Sequence, residues 1–230
     1  MRTLPFKTVL SGILEAMGQT FAGAPEAYKT QVTGHINAAL DMAYPWLEDG
    51  WPELRKATSE TVTSQVISLD TMSSSLYGVT KVLSISKNHP WKSSLPEFRD
   101  FQISDDGITV DDTVTDATLW VAHIEAPPIY NQIEWVTAAA YSVADVRLYG
   151  TDCYRCATAH TSGTFATDLA AVKWVVLPSF PAFLHVPIRT AVVAGMNGTG
   201  GQPETQNLIN SLMEKQLAHI PLRYTHTPAQ

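Results

Sequence analysis

Apolar residues near the start of the chain recur at intervals of three and four. Phe6, Val9, Leu10, Ile13, Leu14 and Met17 fall on one face of a 3.6-residue period, which predicts an amphipathic helix closed by Gly18. After a Gly-Ala-Pro segment the pattern resumes with Tyr28, Val32, Ile36, Ala39, Leu40, Ala43 and Tyr44, a second helix over about 25–44 with Pro25 in its first turn. A turn rich in Pro and Trp follows, from Tyr44 to Leu54, with Trp46 and Trp51 placed to cap the helical layer. From Thr61 to Pro127 the composition shifts to Val, Ile, Thr and Ser, and Thr61–Leu69, Gly78–Ile85 and Ala117–Ile124 read as strands. Asp106-Gly107, between Phe101–Ile103 and Ile108–Val110, is a hairpin signal.

Helical patterning returns from Leu177-Pro178, with Phe180, Phe183, Leu184 and Ile188 apolar. Small residues from Thr190 to Met196 suit close packing, and Pro187 should kink or restart the helix. The glycine-rich run from Gly195 to Gly201 lacks the Lys-Ser or Lys-Thr ending of a phosphate loop and reads as a connector. Pro203-Glu204 opens a last helix with Leu208, Ile209, Leu212, Met213 and Leu217 on one face. Beyond Pro221 the tail is polar and unpatterned, and it is expected to order only on a partner.

These elements predict an α+β fold: a helical platform made by the N- and C-terminal helices, an inserted β-sheet region, and a small aromatic-rich β module. The expected boundaries are 1–60 with 178–230 for the platform, 61–130 for the β region and 131–177 for the module. The chain ends must then meet in space.

Charged residues make up only 16% of the 230 positions against 45% apolar, a surface poor in charge that burial between copies would explain. A net charge of −7 without clustered Lys and Arg excludes a phosphate-gripping protein, although a channel that lets DNA slide remains compatible. No run approaches the ~18 apolar residues of a membrane span. The apolar positions after Arg2 are broken by Lys7 and Glu15, so no signal peptide is expected and synthesis in a cytosol fits best.

Candidate chemistry is sparse. Cys153 and Cys156, placed on a strand, face opposite sides and lie about 10 Å apart, beyond disulfide reach, and no second pair completes a zinc site. Asp105, Asp106, Asp111 and Asp112 lack the spacing and closing glutamate of a calcium loop, leaving a solvated turn. His160, Ser162 and Asp168 are the residue types of a nucleophile, base and orienting acid. Without a nucleophile elbow, however, His160 and Ser162 are expected to fix a turn through backbone hydrogen bonds. No metal, cofactor or catalytic residue is assigned.

The densest pattern is aromatic: Trp135, Tyr141, Tyr149-Gly150, Tyr154, His160-Thr161-Ser162-Gly163, Phe165, Asp168 and Trp174. So small a stretch needs large rings to make a core. The spacing resembles the chitin-binding-type carbohydrate-binding modules that also decorate virion proteins of tailed phages, over about a fifth of the chain. That family usually carries glycine before the Asp-Val pair, where this chain has Ala144. The resemblance implies that exposed members among Trp135, Tyr149, Tyr154 and Trp174 stack on a sugar ring, while core packing is the competing role for each.

The order of elements along the whole chain resembles phage head-to-tail adaptors, the ring-forming connectors beneath the portal. It is carried by the two opening helices, Asp49-Gly50-Trp51-Pro52, the region of Tyr77–Val82 and the Gly201–Gln206 helix start. The resemblance implies a non-enzymatic virion neck protein, made in the host cytoplasm and assembled as a homo-oligomeric ring of twelve copies. Its partners would be the portal protein above and a stopper or tail protein below, with DNA passing through unbound, no membrane, and a surface glycan as a further candidate. It also implies a portal-docking arm from Pro221 to Gln230, including Leu222, Arg223, Tyr224 and His226. A glycan-binding decoration protein and a stopper or tail-completion protein are the alternatives.

Overall fold

The computed structural model describes residues 3–47, 54–68, 79–104, 107–200 and 202–218. It is an α+β fold in two compact units, one of residues 1–50 with 128–230 and the other of residues 51–127.

In the first unit, helix α1 (Phe6–Ala16) buries Phe6, Val9, Leu10, Ile13 and Leu14, the stripe its periodicity predicts. Its end is a Schellman motif: the Gly18 N–H donates to the Glu15 carbonyl at 3.0 Å and the Gln19 N–H to the Leu14 carbonyl at 2.9 Å. Gly18 adopts φ +74° there, a conformation that costs glycine nothing. Helix α2 (Glu26–Leu47) buries Val32, Ile36, Ala39, Leu40 and Ala43 and runs past the expected end at 44. The Trp51 turn and the segment Asp49–Pro52 lie outside the described residues.

The return to helix comes later than the sequence suggests. Leu177–Pro181 is extended, because Pro178 and Pro181 supply no N–H and hold the residues before them out of helical space. Within it Phe180–Pro181 pairs antiparallel with Thr3–Leu4, so the opening strand of the chain, β1, meets the extended segment that leads into the later helices. The helix His185–Met196 follows a 3-10 turn at Ala182–Leu184 and buries Pro187, Ile188 and Val192. Pro187 falls in its first turn, where an amide proton has no helical acceptor, so it produces no kink. This helix packs on α1, on α2 and on the last helix, Pro203–Ala218. Gly195 lets α2 come close: a Cβ built on it would stand 3.0 Å from His35 Nδ1.

Residues 131–177 belong to the same unit. Phe6 stacks on Tyr130 at 4.7 Å and 5°. The Asn37 side chain both donates to the Tyr130 carbonyl and accepts its N–H, at 2.9 and 3.0 Å. The Lys7 N–H donates to the Thr151 carbonyl at 3.1 Å.

The second unit is antiparallel β. One sheet has the order β2 (Arg55–Thr61), β8 (Thr118–Glu125), β4 (Val79–Ser86), β5 (Phe98–Arg99), and a smaller one joins β3 (Val66–Ile67), β7 (Gly107–Val110) and β6 (Phe101–Ser104). Ile67, Ile85, Ile108, Val110, Val114, Leu119 and Val121 form its core. The strand expected over Thr61–Leu69 is instead two strands. Ser64 and Gln65 both take positive φ (51° and 62°), and Thr63 and Val66 exchange hydrogen bonds across them, a type I′ turn written without its usual Asn or Gly. Ser104 pairs with Gly107 across the expected hairpin, whose loop residues Asp105 and Asp106 are outside the described set. Asp111 accepts the Thr113 N–H at 2.8 Å, a local turn cap.

Candidate functional site

The aromatic segment folds around strands β10 (Val146–Tyr149), β11 (Asp152–Cys156) and β13 (Trp174–Val176), with a short ladder of β9 (Ala140–Tyr141) and β12 (His160–Thr161). Helix α3 (Phe165–Ala170) is capped by the Thr164 hydroxyl, which accepts the Thr167 N–H. Residues 133–135 run beside β10: the Trp135 N–H donates to the Leu148 carbonyl and the Leu148 N–H to the Ile133 carbonyl, both at 2.8 Å. That pairing sets Trp135 next to Tyr149, which Gly150 turns at the end of the strand.

The four rings among which exposed members are candidates for sugar stacking, with core packing the competing role for each, divide by burial. Trp174, 1% exposed, is the centre of the core with Tyr141, Cys156 and Phe165, and it has no face to offer a ligand. Its assignment to sugar stacking is therefore corrected: so small a fold spends its largest ring on its own interior. Tyr149 is 45% exposed, and Trp135 and Tyr154 are half-buried. All three converge on Phe165, which sequence reasoning placed in the aromatic pattern but not in the site. Tyr149 stacks on it at 3.7 Å, while Trp135 and Tyr154 meet it edge-on at 5.5 and 4.8 Å. Trp135 turns its Nε1 inward, where it finds no acceptor among the described residues. The result is a ledge of three partly exposed rings locked by one buried ring, able to offer apolar faces to a flat ligand.

The polar trio beneath does not assemble as a nucleophile and base. The Ser162 hydroxyl donates to the Val136 carbonyl at 2.9 Å and accepts the Ala139 N–H at 3.0 Å, and no hydrogen bond joins it to His160. His160 Nδ1 faces the Thr158 carbonyl at 2.7 Å, and Nε2 stands 3.5 Å from Asp168 Oδ2. Burial pushes the Asp168 carboxyl up, but the Gly163 N–H, Lys173 and the nearby His160 outweigh it and hold it below the ordinary carboxylate range. Asp168 thereby ties the Gly163 turn, α3 and Lys173 together, at 3.0 Å to the Gly163 N–H and 3.2 Å to Lys173 Nζ.

Cys153 and Cys156 are free and buried on opposite faces of β11, donating to the carbonyls of Asn131 and Thr158, both at 3.1 Å. Burial pushes the Cys153 thiol up to about 12 and raises that of Cys156, so neither is a thiolate near neutral pH. Among the described residues no group of three His, Cys, Asp or Glu could hold a metal ion, and no helix is long and apolar enough to cross a membrane. Leu222, Arg223, Tyr224 and His226 lie outside the described residues.

No protein-family model matches the sequence, and a search of curated proteins finds no match.

Proposed function

We propose that the chain is a structural head-to-tail adaptor of a tailed phage, a non-enzymatic neck component that forms a ring between portal and tail. The observation that carries this reading is the union of the opening helices with the helix His185–Met196 in one compact unit, with β1 paired to Phe180–Pro181 and α1 packed on that helix. A platform closed in this way can carry residues 51–127 as an insertion. In a ring each subunit meets its neighbours through two different faces, and the scarcity of charge suits such heterologous contact. The acidic balance keeps DNA from sticking as it passes.

Native mass spectrometry of the purified full chain, with and without portal rings, tests this. The expected species is a closed oligomer of about twelve copies that captures the portal; a persistent monomer that ignores the portal rejects it. Stopper and tail-completion roles predict capture of tail-side rings instead.

The exposed face of Tyr149 favours one second reading, a glycan-binding decoration of the virion. Quenching of Trp fluorescence by chitin oligosaccharides, lost in Tyr149→Ala, is its signature.

A further inference from the structure

The start of α1, the α1–α2 turn, the first turns of α2 and residues 132–134 enclose a cleft of about 650 Å³ that neither reading above uses. Its floor is polar and buried. Gln132, among the buried polar residues, donates from Nε2 to Thr30 Oγ1 at 2.7 Å, and Lys29 is only 7% exposed. Phe21, Ala22 and Ile133 give it apolar walls.

Two ammonium groups share the Phe21 ring. Lys7 Nζ stands 4.5 Å and Lys29 Nζ 4.6 Å from its centre. Each also meets one carboxylate, Lys7 with Glu134 at 3.3 Å and Lys29 with Glu26 one turn earlier. Those carboxylates belong to the rim: the Glu134 and Glu26 side chains are 63% and 70% exposed. Like charges gathered at one ring repel, and a lysine buried to this extent is rarely kept without a partner. Pairs with solvated carboxylates contribute little, so either glutamate can be exchanged for a better-placed one at small cost.

We propose that this cleft receives an acidic peptide segment of a partner protein, whose carboxylates replace Glu134 and Glu26 on Lys7 and Lys29. The two glutamates act as placeholders that keep the ammonium groups aimed across Phe21 while the cleft is empty. A compact inorganic anion would meet the charges but leave the apolar walls bare. The methylene stems of Asp and Glu cover Phe21 and Ile133, and the volume is of the size that holds a short segment. The proposal does not depend on ring formation or on the aromatic ledge.

The test is fluorescence anisotropy of a fluorescein-labelled hexaglutamate peptide titrated with the full chain, with hexalysine as control. Saturable binding is expected that weakens as salt rises from ~50 to ~300 mM. Lys7→Gln keeps the backbone N–H bonded to Thr151 and should weaken binding about tenfold, while Glu134→Gln, removing the internal competitor, should tighten it about threefold. The second change is at an exposed position and decides the matter even if Lys7→Gln folds poorly. A merely structural ion pair would not make Glu134→Gln a tighter binder. Absence of saturable binding, or affinity unmoved by Glu134→Gln, overturns the proposal. So does saturation by inorganic phosphate with hexaglutamate left unbound.

Discussion

Tyr149 lies flat against Phe165, ring centres 3.7 Å apart and planes within 12°, and this pair turns a buried core residue into the support of an exposed one. The two positions should therefore separate stability from binding. Phe165→Ala removes the ring on which three others converge and should cost ~3–5 kcal/mol in urea unfolding. Tyr149→Ala loses a stacked pair that is open to solvent and should cost ~0.5–1.5 kcal/mol. If the ledge binds chitin oligosaccharides, Tyr149→Ala abolishes the fluorescence response in a folded protein. A response that survives Tyr149→Ala places any sugar site elsewhere.

Ala144 adopts φ +74°, a left-handed conformation that glycine takes without the clash a Cβ brings. The turn is tied to β11, with the Ala144 N–H donating to the Cys156 carbonyl at 2.9 Å and the Cys156 N–H to the Asp145 carbonyl at 2.7 Å. Left-handed alanine costs ~1–2 kcal/mol, and glycine returns part of that as added freedom of the unfolded chain. Ala144→Gly should raise stability by about 0.5–1 kcal/mol. Val172, branched and at φ +55° just past α3, is the more strained position. Val172→Gly should gain about 1 kcal/mol or more, read as a shift of the urea midpoint at unchanged slope.

Much of the helical layer was legible because its apolar residues repeat with one clear period. The faces of α1 and α2 follow directly from it. The strands were harder. Arg55–Thr61 is an edge strand of seven residues without a large apolar side chain, so composition gave no sign of it. The turn at Ser64-Gln65 has no glycine to announce it, and tertiary packing alone imposes its two positive φ values. In the module the aromatic pattern found the right neighbourhood, but one ring looks like another in sequence. Only the fold decides that Trp174 is interior and Tyr149 exposed, and that Phe165 joins them. The lysine cleft draws on positions more than a hundred residues apart, Lys7 with Glu134 and Thr30 with Gln132, which no local spacing reveals.

His123, buried, and His185, half-buried, make stability depend on pH in a fixed direction. Burial lowers His123 below the ordinary value of 6.5 despite the Val121 carbonyl near its ring, and burial with the Arg189 charge lowers His185. The folded chain thus keeps both rings neutral at pH values where the unfolded chain protonates them. Their contribution is complete above 6.5 and is lost as pH falls below it, with a slope of at most ~1.4 kcal/mol per pH unit for each ring. Asp168 adds a later loss of the same sign, since its lowered carboxyl stabilises above the ordinary 3.8 and ceases to do so as pH falls through its folded value. Urea midpoints measured from pH 8 to 4 should decline below 6.5, and His123→Gln should flatten that decline for the unit of residues 51–127. An unchanged slope in that variant would refute the assignment.

Two helical glycines test whether close packing or helix propensity governs the platform. Gly34 sits in α2 with nothing within 4 Å of where a Cβ would stand, whereas a Cβ on Gly195 would stand 3.0 and 3.2 Å from ring atoms of His35. Replacing either by alanine gains the same ~1 kcal/mol of helix propensity. For Gly34→Ala that gain should appear in full as increased stability. For Gly195→Ala the His35 ring must move aside, and overpacking of this kind costs ~1–3 kcal/mol, so stability should fall or at best stay level. The two effects separate in a double-mutant cycle: Gly195→Ala made in a His35→Ala background has lost its obstacle and should be stabilising. If Gly195→Ala stabilises the unmodified chain as much as Gly34→Ala does, the contact between α2 and the helix His185–Met196 is looser than described, and the close packing of the terminal segments that supports the adaptor reading weakens with it.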